Sequence, residues 1–142
     1  MLVRLLYVSR ADANIGASDA DRIIARSQNY NPDHGITGVL CYAGDLYMQV
    51  LEGGRDEINA LYGQIIRDDR HSDVTLLDYA EIEERQFVGW TMGKVNLDKV
   101  NPALLLKYSE KRDFDPYGSS GGACLALLAE LLSSAAVISR QG

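Results

Sequence analysis

The order of periodic segments predicts an α+β fold, a ferredoxin-like β-α-β-β-α-β(β) sheet with two helices on one face and a C-terminal helical extension. Three observations carry it. Two strand-like runs, Ile36–Ala43 and Leu46–Glu52, are separated only by the turn Ala43-Gly44-Asp45 and read as a hairpin. Segments on either side, Ser18–Asn29 and Asp56–Arg67, place apolar residues at helical spacing. Further strand-like runs precede the first helix and follow the second, which completes the alternation.

Taken in order, Leu2–Ser9 is apolar enough for a buried strand. Ser18 is a candidate N-cap, with Asp21 three residues on in the place a capping box requires. Ala20, Ile23, Ile24 and Ser27 set the inner side of that helix, Pro32 is expected to end it, and His34-Gly35 turns the chain. Gly53-Gly54 ends the hairpin. The second helix then presents Ile58, Leu61, Tyr62, Ile65 and Ile66 on one face. The loop Arg67–His71 leads to a strand over Val74–Ile82, and a last core strand is expected over Gln86–Val95. A groove between the two helices, with Ile23 and Ile65 as its lips, suits a flat ligand. These elements make residues 1–97 one domain.

Residues 98–142 differ in character. A short helix is expected over Pro102–Tyr108, then a polar stretch with the run Gly118-Ser119-Ser120-Gly121-Gly122, then a helix over Ala123–Ser139. The apolar residues of that last helix cover more than one stripe, which predicts burial on more than one side. Either the open sheet face or another chain would cover it.

Composition narrows the function classes. A formal net charge of −6 over 142 residues argues against a nucleic-acid partner, whose phosphates require a basic surface. The apolar N-terminus is too short for a signal sequence and no run is long enough to span a bilayer, so a cytoplasmic protein is expected. Cys41 and Cys124 show no metal-ligand spacing and read as free thiols, Cys41 as a small buried hydrophobe. His34 and His71 read as solvated loop residues with no metal or catalytic role.

Gln49 stands out. It shares a strand face with Tyr47 and Leu51, while Leu46, Met48 and Val50 face the other way, so both faces look covered. A buried amide without partners costs about 1–3 kcal/mol, so something polar must meet it. That partner is either a neighbouring group of the chain or a ligand with carbonyl and ring-nitrogen edges.

Five segments in register resemble one family: Leu6-Tyr7; Asn31 with Gly35–Leu40; Met48–Gly53; Arg67–His71; and Phe87–Met92. Together they are similar to the BLUF domain, a flavin-binding blue-light sensor, over about residues 1–97. The resemblance implies a flavin, FAD in the first place and FMN as the alternative, held between the two helices. It implies that Tyr7 donates an electron and then a proton, that Gln49 lies between Tyr7 and the flavin, and that Asn31 bonds the pyrimidine edge. Ile23 and Ile65 would sandwich the ring, and Arg67 and Asp68 would meet its tail or edge. Trp90 and Met92 would exchange places beside Gln49; as neighbours two apart on a strand they would share a face, and which one faces Gln49 in darkness stays open. Tyr30 would stack near the ring or face solvent.

The resemblance further implies a photosensory protein without an output enzyme domain. The extension around Leu105–Ser109 is similar to that of short PixD-type members, which implies a homo-oligomer, a dimer or ring, and a downstream signalling protein. A flavin-dependent oxidoreductase and a cofactor-free ferredoxin-like interaction module are the alternatives. A light-driven cysteine adduct at Cys41 is not expected, because no LOV pattern surrounds it.

Overall fold

The computed structural model describes residues 1–12 and 18–133, without the side chains of residues 18–20. Five strands form one mixed sheet: β1 (Leu2–Ala11), β2 (Thr37–Ala43), β3 (Leu46–Gly54), β4 (His71–Ile82) and β5 (Gly93–Asn96). Their order across the sheet is β4-β1-β3-β2-β5. All neighbours are antiparallel except β2 and β5, which run parallel. The expected ferredoxin-like α+β arrangement is therefore present. Helices α1 (Ser18–His34) and α2 (Arg55–Arg67) cover one face, and α3 (Pro102–Leu106) and α4 (Gly121–Leu132) belong to the extension.

Strand alternation builds two cores, one on each face. Val3, Leu5, Tyr7, Leu40, Tyr47 and Leu51 pack with Ile24 and Ile58 of the first two helices. Leu6, Val39, Cys41, Met48 and Val50 pack with Leu105, Cys124, Leu127, Leu128 and Leu131 of the extension. A Cβ on Gly38 would collide with the Val50 carbonyl, so glycine is what allows β2 to close on β3.

Four expectations about elements need correction. Pro32 does not end α1, which runs two residues further to His34. The stop is a Schellman motif: Ile36 N–H donates to Asn31 O at 2.9 Å, Gly35 N–H to Pro32 O at 3.4 Å, and Gly35 sits at φ +65°. Asn31 thus belongs to the last turn of the helix. The strand expected over Gln86–Val95 begins only at Gly93, because the Gln86 and Phe87 amides donate to the Glu52 carboxylate and Trp90 N–H closes a turn on Phe87 O at 3.1 Å. His71 opens β4 instead of lying in a solvated loop.

The fourth concerns α4. Among the described residues Cys124, Leu127, Leu128 and Leu131 form one buried stripe against the open sheet face, one of the two covers expected for this helix, and the chain itself buries no second side. Leu125 and Leu132 are only partly buried against the same core. The helix starts at Gly121, whose Cα lies so close to the Leu77 carbonyl of β4 that no Cβ would fit. Lys107 and Tyr108, following α3, both bond Glu130 Oε1, at 2.6 and 2.8 Å, tying the two helices of the extension together. The Ser18 cap and residues 134–139 of the expected last helix lie outside the described side chains and residues.

Candidate functional site

A cleft of about 260 Å³ opens between α1 and α2 over the sheet. Residues 23, 27 and 31 recur at four-residue intervals and so present Ile23, Ser27 and Asn31 to it from α1. Ile65 and Leu61 face it from α2, and Tyr7, Leu40 and Gln49 form its floor. Register explains the floor: Gln49 on β3 lies opposite Tyr7 on β1 and Leu40 on β2, so all three share a face. Beside Tyr7 the β1–β4 pairing slips by a residue, a bulge of the kind that re-aims side chains near sites.

Gln49 is buried, and both ends of its amide are engaged. Tyr7 Oη donates to Gln49 Oε1 at 2.6 Å, and Gln49 Nε2 lies 3.4 Å from Met92 Sδ. A thioether is a weak acceptor, so the amide is held firmly on one side and loosely on the other. Burial, then the neighbouring Tyr62 and Asp68, pushes the Tyr7 phenol well above its ordinary value. The hydroxyl therefore stays protonated across the pH range of a folded protein. Asn31, 1% exposed, spends its Nδ2 on Thr91 O at 2.8 Å.

Met92 packs in the core that contains Tyr7, while Trp90 packs against the core beneath α4. The expected common face is thus not found; the backbone from Phe87 to Met92 is a turn, and strand parity does not apply to it. Among the two, Met92 is the one that meets Gln49.

The mouth is more polar than the floor. Asp68 lines it, held down to about 2 by hydrogen bonds from Arg70, whose Nη2 lies 2.6 Å from Oδ2. Arg67 does not line the cleft; its guanidinium lies along α2 near Gly63. Sequence reasoning missed Arg22 and Arg26, which line the mouth and sit four apart on α1, a spacing that places them on one face. It also missed His71. Ile65 O can only accept, so His71 Nε2 donates to it at 2.8 Å, which leaves Nδ1 to accept from Ser9 Oγ at 2.9 Å in the neutral ring. Tyr30 lines the cleft and stacks on His34 with centroids 3.8 Å apart.

An apolar slot with aliphatic walls on two helices and two buried amides on its floor and flank fits a flat heteroaromatic ring with polar edges. The family described as "BLUF: Sensors of blue-light using FAD" matches residues 2–93, and the chain belongs to that family, a group of flavin-based blue-light receptors. Among curated proteins it is 35% identical over 92 residues to the photoactivated adenylate cyclase subunit beta of Euglena gracilis. That match covers 64% of this chain and 11% of the cyclase subunit. It is 28% identical over 82 residues to the blue light- and temperature-regulated antirepressor BluF of Escherichia coli K12, covering 56% of this chain and 20% of that protein. The chain therefore spans a small fraction of these relatives' length.

Solved structures extend the likeness past the family match. The structure titled "BlsA photo-activated state" superposes with a TM-score of 0.86 at 28% identity, covering 98% of this chain and 100% of that one. "BlrB - a BLUF protein, dark state structure" gives 0.77 at 30% identity, covering 93% and 95%. Both superpositions take in the extension as well as the sheet.

Proposed function

We propose that the cleft holds the isoalloxazine of FAD between Ile23 and Ile65 and that Tyr7 and Gln49 convert blue light into a hydrogen-bond switch. Asn31 would bond the pyrimidine edge of the ring. Arg22 and Arg26 at the mouth favour a phosphate-bearing tail over riboflavin, and the family description favours FAD over FMN. Asp68 with Arg70 would border the same tail or ring edge.

When bound, the flavin supplies a blue-absorbing chromophore that becomes a strong oxidant on excitation. Tyr7 is an oxidisable phenol on the cleft floor, and it is the one bonded to Gln49. Loss of an electron to the excited ring would make the phenol a strong acid, and its proton would pass by way of Gln49 Oε1, 2.6 Å away, toward the ring. The amide then rotates or changes tautomer, which exchanges donor and acceptor toward the ring without breaking a carbon bond. Its weak contact to Met92 Sδ gives way easily, and the surrounding low polarity magnifies each remaining bond. Return of the electron and proton to Tyr7 would leave the ring oxidised with the Gln49 amide still switched, and slow reversal of the amide would restore the dark arrangement.

The single observation that carries this reading is the buried Gln49 amide held between a phenol and a thioether on the cleft floor. The signal would leave through the extension by protein contacts, in a cytoplasmic homo-oligomer with a downstream partner. Among the described residues no helix is long and apolar enough to cross a membrane. An absorption spectrum in darkness, after a blue flash and during recovery tests the switch. A small reversible red shift of the flavin bands is expected; a colourless protein that ignores added flavin, or one that bleaches, would sink it. Mass spectrometry of the released cofactor separates FAD from FMN.

A further inference from the structure

Three residues beyond Gln49 on β3, and facing the other side of the sheet, Glu52 is a carboxylate with 0% exposure. Both oxygens are engaged. Oε2 accepts from Arg4 Nε at 2.9 Å, and Oε1 accepts from the backbone amides of Gln86 at 3.0 Å and Phe87 at 2.8 Å. The Glu52 carbonyl also accepts from Arg85 Nη1 at 3.3 Å. An interior carboxylate is costly unless paired, and bonds to an ionised acceptor are stronger than neutral ones. This one is matched on every side.

What it holds is the irregular stretch that carries Trp90 and Met92. At its start the Glu52 carboxylate grips Gln86 and Phe87, and Phe87 is fully buried. Further on, Gly38 N–H donates to Trp90 O at 2.9 Å and Asn31 Nδ2 to Thr91 O at 2.8 Å. At its end Gln49 Nε2 meets Met92 Sδ. The stretch is thus fixed by a charge at one end and attached to the switching amide at the other. Between them, Trp90 reaches the core under α4 on the opposite side of the sheet from Met92.

We infer that Glu52 is a positioning residue for the photoresponse. Its carboxylate makes Gln86–Phe87 the stationary end of the stretch, so that a displacement at Met92 turns the backbone about Phe87 and arrives at Trp90. Without that fixed end the same displacement would be absorbed in the loop before it reached α4. The transmission half of the inference rests on the proposed light switch; the anchoring half concerns the dark protein alone.

Trp90 is the only tryptophan of the chain, so its fluorescence reports on this stretch. The variant Glu52→Gln keeps the shape and one acceptor oxygen but loses the charge and the acceptor that faces Arg4. In darkness it is expected to speed exchange of the Gln86 and Phe87 amides by roughly tenfold or more, and to raise acrylamide quenching of Trp90 severalfold. Flavin binding and the size of the flavin red shift should stay as in the wild type, while the light-induced change in Trp90 emission falls to about half or less. A variant with wild-type amide exchange, quenching and Trp90 photoresponse overturns the inference.

Should Glu52→Gln not fold, amide exchange in the wild-type protein decides. The Phe87 amide is then expected to exchange at least about a hundredfold more slowly than an unprotected peptide, in darkness and under illumination alike. Rapid exchange, or protection lost on illumination, would overturn the fixed end. A wild-type protein with no flavin shift at all would sink the light switch and the transmission half with it. The dark quenching and exchange data would still decide the anchoring.

Discussion

The bond between Tyr7 and Gln49 can be weighed by a double-mutant cycle. Gln49→Leu keeps a similar volume but leaves the Tyr7 hydroxyl without the acceptor it has at 2.6 Å. Tyr7→Phe leaves the Gln49 carbonyl oxygen without its donor. Both residues are buried, at 3% and 5% exposure, and an unmade buried bond costs about 1–3 kcal/mol. The cleft lets water approach, which sets the expected loss near the lower end, about 1 kcal/mol for each single variant. For a chain of this length that lowers Tm by about 3–5 °C. Removing both partners strands neither, so the double variant should lose about as much as one single variant, a coupling of about 1 kcal/mol. Thermal unfolding of the four proteins in darkness measures this, and light-minus-dark spectra of the same samples read the switch, which each single variant should abolish. Losses that add to within about 0.3 kcal/mol, or a full red shift in either single variant, would refute the reasoning.

Other outcomes follow from the same geometry. Asn31→Ala removes the donor to Thr91 O and should weaken flavin retention roughly tenfold in a fluorescence titration; wild-type affinity would show that Asn31 serves only the backbone. Gly38→Ala drives a methyl group into the Val50 carbonyl and should cost about 1–3 kcal/mol in denaturant melts, with wild-type stability as the contrary result. Because Arg70 lowers the Asp68 carboxyl in the folded chain, its stabilisation is complete above about pH 4 and lost as pH falls toward 2. Asp68→Asn should therefore be less stable than wild type near neutrality, and the two stability curves should converge in acid; a constant gap would contradict the pairing.

Much of the site was legible in the chain because strand alternation and helical spacing place side chains without reference to distant contacts. Gln49 and Tyr7 face the cleft by parity, and Ile23 and Ile65 by helical spacing. Features set by long-range hydrogen bonds were not legible. Glu52 reads as an ordinary charge at a strand end until Gln86 and Phe87, more than thirty residues on, are seen to use it. That same capture stops the strand expected through Trp90 and Met92 and sends the two side chains to opposite cores. Pro32 looked like a helix stop, yet the Schellman bonds of Gly35 and Ile36 set the end instead. His71 looked solvated because its partners, Ser9 and the carbonyl of Ile65, come from other elements.

The contact of Gly121 with the Leu77 carbonyl has a mechanical consequence. Backbone lies directly on backbone there, so the first turn of α4 cannot slide across β4 without a steric clash. The far end of α4 is held through side chains, Glu130 with Lys107 and Tyr108 and Leu131 in the core, so the helix gives more readily there than at the glycine end. Its twelve residues span about 18 Å, so a tilt of only about 5° would carry Leu132 through about 1.5 Å. Small rearrangements around Trp90 would thus be amplified toward the far end of α4, and the glycine sets which end moves.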